Sequence, residues 1–218
     1  MSALIVPIKT NNQRLPGKNT MNLGGMPLYM HLFNTIKKCN FIDKVYIDSS
    51  DQYILREADR FGFCAIKRPI RLNSADTSGN DLIQHSLEHV EDDIIGQFFV
   101  TTPFLKVETI KKSFDLLDDN KDKDCAFGLY PVYDRFWLNN EPVNHKYDNL
   151  VGTQYMNPLM REAGFYVFRR KAFIESKSRI TNNYITFEVD PLECVDIDNK
   201  EDFLYASVVY DKILKGAQ

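Results

Sequence analysis

The sequence predicts an α/β domain, a mostly parallel sheet flanked by helices, from three observations. Short apolar runs recur at 3–8, 44–48, 63–66 and 98–102. The stretches between them carry apolar residues at helical spacing, as at Leu28, Leu32, Phe33 and Ile36. Capping and breaking residues such as Asp51 and Gly62 fall at the joins. Strands alternating with helices in this way form βαβ units, whose crossovers make neighbouring strands parallel.

Ala3–Ile8 is the first strand. Pro27–Cys39 is the first helix, with Pro27 near its start, where a missing N–H is harmless. Lys44–Asp48 is a second strand, and Ser49-Ser50-Asp51 supplies N-cap residues for the helix that follows. That helix shows Ile54, Leu55, Ala58 and Phe61 on one face and stops at Gly62. Phe63–Ile66 is a third strand, followed by a polar loop from Arg68 to Gly79. Leu82, Ile83, Leu87 and Val90 mark the next helix, and Phe98–Thr102 the fourth strand. Thr109–Leu117 is helical and Cys125–Val132 a strand. The pattern then breaks. Residues 133–160, with Phe136, Trp137 and several tyrosines, read as an insertion, either a surface loop or an arm whose aromatics pack on a second subunit, the latter being the expectation for a homodimer. Gly164–Phe168, Ile185–Val189 and Glu193–Ile197 are three more strands. Phe203, Leu204, Val208, Val209, Ile213 and Leu214 form a closing amphipathic helix. With no internal repeat or low-complexity linker, residues 1–218 read as one domain.

Apolar residues make up 44% and charged residues 26% of the chain, as expected of a soluble globular protein. The net charge of −3 argues against a nucleic-acid binder driven by bulk electrostatics. Its distribution is uneven. Residues 1–42 contain Lys9, Arg14, Lys18, Lys37 and Lys38 but no carboxylate. A basic start on an acidic body points to one local anion site. Cys39, Cys64, Cys125 and Cys194 are far apart and read as buried thiols of a reducing compartment. No secretory leader opens the chain, and no apolar run nears the roughly 20 residues that span a bilayer. The expectation is a cytoplasmic protein with no membrane association.

The chemistry concentrates in the stretch V-P-I-K-T-N-N-Q-R-L-P-G-K-N, residues 6–19. A buried strand that runs into a loop of amides and three spaced cations, then towards a helix, presents donors to an anion, most naturally a nucleotide's phosphates. Lys9, Arg14 and Lys18 supply charge, and Gly17, Gly24 and Gly25 allow close backbone approach. The stretch is neither a Walker A loop, since Lys18 is followed by Asn19, nor G-x-G-x-x-G. The second constellation is Val195-Asp196-Ile197-Asp198. Read as a strand, it sends both carboxylates to one face, where they suit a hard divalent cation such as magnesium. In the third, 68–78, Arg71 is a candidate for phosphate or base and Asp76 for pairing with the basic loop. An ordinary loop leading into a helix cap explains the same residues. His85 and His89, four apart on a helix and without an evident third ligand, read as a solvated face. Nothing supports a Ser-His-Asp or Cys-His nucleophile.

Residues 6–19, followed by L-G-G-M-P-L at 23–28, resemble the signature of the CMP–sugar-acid synthetases, the N-acylneuraminate cytidylyltransferase family. That signature reads approximately I-P-A-R-x-x-S-K-R-L-P-G-K-N. Similar segments recur at Asp48-Ser49-Ser50-Asp51, at Arg68-Pro69 with Asp76-Thr77-Ser78, at 101–104, at E-A-G-F-Y-V-F (162–168) and at E-C-V-D-I-D-N-K-E-D-F (193–203). The resemblance implies a Rossmann-like nucleotidyltransferase fold, CTP as donor, magnesium, an acidic acceptor and a dimer sharing its site through an inserted arm. It also implies a place in surface polysaccharide synthesis. By position it assigns Lys9, Arg14 and Lys18, with Asn12, to the triphosphate. Pro7, Ile8, Asn22, Arg71, Asp76, Thr77 and Ser78 fall to the nucleotide, Gln154 and Glu162 to the acceptor, and Asp196 and Asp198 to the metal.

The chain departs from the signature at Lys9, Asn12 and Gln13, where the family has Arg, Ser and Lys. Lysine cannot make the bidentate fork of arginine, so the hold on the leaving pyrophosphate should weaken. The expected reaction is transfer of CMP from CTP to a sialic-acid-like nonulosonic acid. The alternatives are another acidic acceptor, a phosphonate or phosphate, or a nucleotide-binding module without turnover.

Overall fold

The computed structural model describes residues 1–9 and 12–214. Thr10 and Asn11 of the basic loop, and residues 215–218, lie outside the described residues. In chain order the strands are β1 (Ser2–Ile8), β2 (Asn22–Leu23), β3 (Met26–Pro27), β4 (Lys44–Ser49), β5 (Cys64–Lys67), β6 (Ile94–Gln97), β7 (Cys125–Val132), β8 (Trp137–Leu138), β9 (Glu141–Pro142), β10 (Leu159–Arg169) and β11 (Tyr184–Glu188). The helices are α1 (Leu28–Ile36), α2 (Gln52–Phe61), α3 (Gly79–Ser86), α4 (Val107–Asp119), α5 (Arg170–Ser176) and α6 (Lys200–Val209).

Seven strands form one sheet in the order β11-β7-β10-β6-β1-β4-β5. The pairs β1–β4, β1–β6, β4–β5 and β7–β11 are parallel, while β10 runs antiparallel to both β6 and β7. Side chains of β1 alternate between two cores, as a strand buried on both faces requires. Leu4, Val6 and Ile8 pack with α1, α2 and α4, whereas Ala3 and Ile5 pack with α3 and α5.

The chain moves outward from β1 to β4 and β5, then crosses back to β6 on the other flank of β1. Such a reversal opens a crevice at the carboxyl ends of the strands on either side of it. β6 stops at Gln97, opposite Ile5, so Pro7 lies where β1 has β4 alone beside it. A residue without an N–H is tolerated at such a gap.

Several expectations need correction. The fourth strand is Ile94–Gln97; Phe98–Thr102 is the turn beyond it, apolar because Phe98 and Val100 sit beneath it in the core. Glu193–Ile197 is not a strand. A turn at 190–194 leads into an extended segment, held by the Ile197 N–H donating to the Thr101 carbonyl at 2.9 Å. The closing helix is not amphipathic: Leu204 and Val208 face solvent while Ala206 and Val209 are buried, and α6 passes into a π-helical turn at Tyr210–Leu214. Leu159 and Met160 belong to β10 and not to the insertion, whose core is the β8–β9 hairpin. Cys64, on the edge strand β5, is exposed, while the other three thiols are buried.

Candidate active site

Gly17 adopts φ +70°, a left-handed conformation that costs glycine little. It turns the basic loop back so that Lys18 points under the sheet end. Lys18 is 6% exposed. Its Nζ donates to the Ile197 carbonyl at 2.6 Å and to Asp198 Oδ1 at 2.9 Å. Arg14 Nη2 reaches the same carboxylate oxygen at 2.8 Å. Asn19 Nδ2 donates to the Lys9 carbonyl at 2.5 Å, and Lys9 Nζ to the Ser74 carbonyl at 3.0 Å.

These contacts close one end of a cavity of about 340 Å³, lined among others by Pro7, Lys18, Arg68, Tyr166, Arg179 and Asp196. A neighbouring cavity of about 290 Å³ is enclosed by Lys9, Asn12, Gln13, Arg14, Lys18, Ala75 and Asp198. Four buried polar atoms of the larger cavity's lining have no partner among the described residues: Asn12 Oδ1, Asn19 Oδ1, Arg68 Nη1 and Asp196 Oδ1. Such atoms are rare in folded proteins, and their concentration in one crevice marks a place where a polar ligand completes the bonding.

Asp196 and Asp198 do face the crevice together, though not as members of a strand. Ile197 between them is fully buried, so the extended segment sends its alternate side chains into the cleft. Burial pushes the Asp196 carboxyl above the usual range, and the charge of Asp198 adds to this against Thr101 and Lys18. Burial acts the same way on Asp198, but Lys18 and Arg14 outweigh it and hold its carboxyl below the usual range. An unpartnered buried carboxylate oxygen beside a second carboxylate is a donor set that fits a hard divalent cation.

The other predicted site residues divide. Pro7, Lys9, Asn12, Arg14 and Lys18 line the two cavities. Ile8 is wholly in the core. Asn22 accepts the Gly25 N–H in the β2–β3 turn and lines neither cavity. Arg71 is exposed on the helical turn Ile70–Asn73, and Asp76 is exposed without an ion pair among the described residues; Lys9 meets Ser74 instead. Thr77 lines neither cavity, and Ser78 caps α3 by accepting the Asp81 N–H at 3.2 Å. Gln154 is exposed on the insertion. Glu162 is exposed too, yet accepts a hydrogen bond from the hydroxyl of Tyr166, whose ring lines the cleft. Burial, then that bond, pushes the Tyr166 phenol up to about 12.

Two arginines were given no site role by the sequence. Arg68 is fully buried: Nε donates to Asp48 Oδ1 at 3.0 Å and Nη2 to the Asp48 carbonyl at 2.6 Å, leaving Nη1 toward the cleft. Its position after a strand and before Pro69 was a usable signal, though Arg71 competed for the same role. Arg179 had no signal. It follows α5 on an irregular segment, lies 3.9 Å from the Tyr166 ring centroid, and donates from Nη1 to Gln97 Oε1 at 2.6 Å. A Cβ on Gly79 would stand 2.1 Å from that Nη1, so a glycine there makes the approach possible.

A Rossmann-like sheet with a basic loop at its switch point, facing a carboxylate pair, defines a nucleotidyltransferase. A solved structure described as CMP:2-keto-3-deoxy-manno-octonic acid synthetase complexed with CTP shares the fold, with a TM-score of 0.74 over 97% of this chain and 98% of that one at 16% identity. So does 4-diphosphocytidyl-2C-methyl-D-erythritol synthase from Anaerococcus prevotii, with a TM-score of 0.68 over 97% and 96% at 12% identity. The chain belongs to the cytidylyltransferase family, whose profile matches residues 3–215. Among its relatives, the pseudaminic acid cytidylyltransferase of Campylobacter jejuni is 23% identical over 94% of both chains. The N-acylneuraminate cytidylyltransferase of Streptococcus agalactiae is 22% identical over 92% of this chain and 51% of its own.

Proposed function

We propose that the protein transfers the CMP unit of CTP to a hydroxyl of a nonulosonic acid and releases pyrophosphate. The observation that carries this reading is the convergence of Arg14 and Lys18 on Asp198 beside the unpartnered oxygen of Asp196. Cations suited to a departing pyrophosphate and carboxylates suited to a metal thus meet at the mouth of one crevice. The names of the family relatives supply the acceptor class.

In this reading the acceptor oxygen attacks the α-phosphorus in line as the bond to the β-phosphate oxygen breaks. Lys9, Arg14 and Lys18 stabilise charge on the pyrophosphate, and catalysis consists of positioning and charge neutralisation. Arg68 Nη1 and the Asn12 and Asn19 amide oxygens give the nucleotide its polar contacts. Asp196 and Asp198 hold magnesium, which when bound neutralises the α-phosphate and acidifies the attacking hydroxyl. Arg179, braced on Tyr166, meets the acceptor's carboxylate, and Glu162 orients Tyr166 through its hydroxyl.

The insertion exposes Trp137, Leu138, Tyr147, Leu150 and Tyr155, and we assign it to a homodimer contact through which Gln154 reaches the partner's acceptor site. No helix among the described residues is long and apolar enough to cross a membrane. As part of the same proposal we assign the reaction to the cytoplasm, with neither nucleic acid nor membrane as partner.

The test is pyrophosphate release from CTP and magnesium with a panel of pseudaminic acid, N-acetylneuraminic acid and 3-deoxy-manno-octulosonate, alongside phosphonate and phosphate acceptors. At least one acid should turn over, and Asp198→Ala should abolish release without unfolding the protein. CTP binding with no release from any acid would replace the enzyme with a nucleotide-binding module. Release with phosphonate or phosphate acceptors alone would replace the acceptor class.

A further inference from the structure

We propose that His85, Glu88 and His89 form a second metal site, for a zinc-class cation, at the carboxyl end of α3. None of the three lines the cleft. α3 ends at Ser86, but the chain keeps winding: the Glu88 N–H donates to the His85 carbonyl at 3.1 Å and the His89 N–H to the Ser86 carbonyl at 2.9 Å. Residues three and four apart therefore remain neighbours on one face. A donor atom from each of the three lies within 4.8 Å of the other two. His85 Nδ1 stands 3.8 Å from Glu88 Oε2, and the two imidazoles cross at 85° with centroids 5.6 Å apart.

A solvated pair of histidines does not account for His85. It is only 7% exposed, and its Nε2 is buried without a partner. Its Nδ1 is too far from Glu88 for a hydrogen bond. The buried Nε2 is thus an unmet hydrogen-bonding group, and Nδ1 is the nitrogen on the side of Glu88. Half a turn of the ring puts Nε2 where Cε1 stood and Nδ1 where Cδ2 stood, so either nitrogen can be the one turned to the cluster. The surroundings favour a cation. The last carbonyls of a helix carry partial negative charge, and residues 85–93 include Glu88, Glu91, Asp92 and Asp93 but no lysine or arginine. Two cations reach this end of α3 from α5 and the residue after it: Arg170 donates to the Val90 carbonyl at 3.2 Å and fastens the turn through its backbone, and Lys177 donates to Gln84 Oε1 at 3.3 Å.

Two imidazoles and one carboxylate are the three-ligand set of zinc sites with an open fourth position, and nitrogen donors select zinc, nickel or copper over magnesium. Metal–ligand bonds of about 2.1 Å require donors about 3.4 Å apart, which Glu88 and His89, both exposed, reach by turning their side chains onto the fixed His85. The site adjoins the cleft's frame. Ser86 Oγ donates to Asp48 Oδ2 at 3.2 Å, and Asp48 holds Arg68. Occupancy would fasten the end of α3 to that buried chain.

The test is titration of metal-stripped full-length protein with zinc chloride, with magnesium chloride as control. We expect one zinc equivalent at micromolar affinity or tighter. His89→Ala or Glu88→Gln should weaken it by at least about 10–100-fold, the scale seen even for outer-shell partners. Asp196→Asn should leave this equivalent in place. Cobalt(II) should give the visible absorption of a tetrahedral site in wild type and not in His89→Ala. At a hundredfold excess over Kd, zinc should raise Tm by about 5–10 °C. Both substitutions are at exposed positions, so circular dichroism should show an unchanged fold. Zinc affinity unmoved by the His89→Ala, Glu88→Gln double variant, or a wild type that binds no zinc, overturns the site.

Discussion

Lys18 Nζ lies 2.9 Å from Asp198 Oδ1, although 180 residues separate them in the chain. The loop at the end of the first strand and the segment before the last helix are thereby one structure. Lys18 is buried and Arg14 is not, so Lys18 is the cation whose position is fixed before any ligand arrives. Lys18→Ala should lower pyrophosphate release by about 10²–10³-fold, the usual effect of losing one preorganised charge-stabilising donor. Arg14→Lys should lower it less. A Lys18→Ala protein that is folded by circular dichroism and fully active would remove Lys18 from the reaction.

The two aspartates should titrate in opposite senses. The folded-state pKa of Asp196 is raised. Its ionised form therefore burdens the fold above that pKa, and the burden is relieved as pH falls through it. The pKa of Asp198 is lowered. Its stabilisation is present above the ordinary carboxylate range and is lost as pH falls through the lowered value. Asp196→Asn should therefore stabilise the ligand-free protein at neutral pH by about 0.5–2 kcal/mol, as removal of strained active-site groups commonly does, while abolishing activity. The gain should shrink in urea unfolding at acidic pH. Wild-type activity should rise with pH as Asp196 loses its proton.

Gly79→Ala offers a way to move Arg179 without touching it. The new methyl would stand 2.1 Å from Nη1, at the far end of a flexible side chain, so the fold absorbs it and the guanidinium shifts off Tyr166. The expected result is a KM for the sugar acid raised about tenfold or more, consistent with a displaced charge-assisted contact of about 1.5–3 kcal/mol. The KM for CTP and the Tm should be little changed. A rise confined to CTP would place Arg179 at the nucleotide instead.

Asp48 and Arg68 are both sealed from solvent. Removing one partner of such a pair strands the other charge, at a cost of about 3–5 kcal/mol. Asp48→Ala should lose stability on that scale in urea denaturation. Ser86→Ala, which removes the hydroxyl donor to Asp48, should lose only about 1 kcal/mol.

Leu138 on the β8–β9 hairpin is 65% exposed. If the insertion covers a second subunit, Leu138→Asp should convert a dimer to a monomer in light scattering without lowering Tm at low protein concentration. A variant with unchanged mass would move the dimer contact elsewhere.

The alternation of strands and helices was legible because burial on both faces leaves continuous apolar runs, as at Ala3–Ile8, and because Asp51 and Ser78 cap helices by local rules. Phe98–Thr102 misled for the same reason: Phe98 and Val100 are apolar to fill the core beneath a turn, and composition does not separate that from a strand. Leu204 and Val208 misled in the opposite direction, since they are apolar and face solvent.

By itself the sequence determined what is local: the alternation of strands and helices through the first half of the chain, the clustering of cations in the basic loop, and the spacing that sends Asp196 and Asp198 the same way. Only the tertiary structure decided what depends on residues far apart in the chain. It gave Asp198 to Lys18 and Arg14, Asp48 to Arg68, and Tyr166 to Arg179 over the bare backbone of Gly79, and it added Glu88 to a buried His85. The physical reason is that helical and strand periodicities act over a few residues. A crevice at a sheet's reversal point, by contrast, is built from loops whose meeting is set by strand order, which no local pattern records.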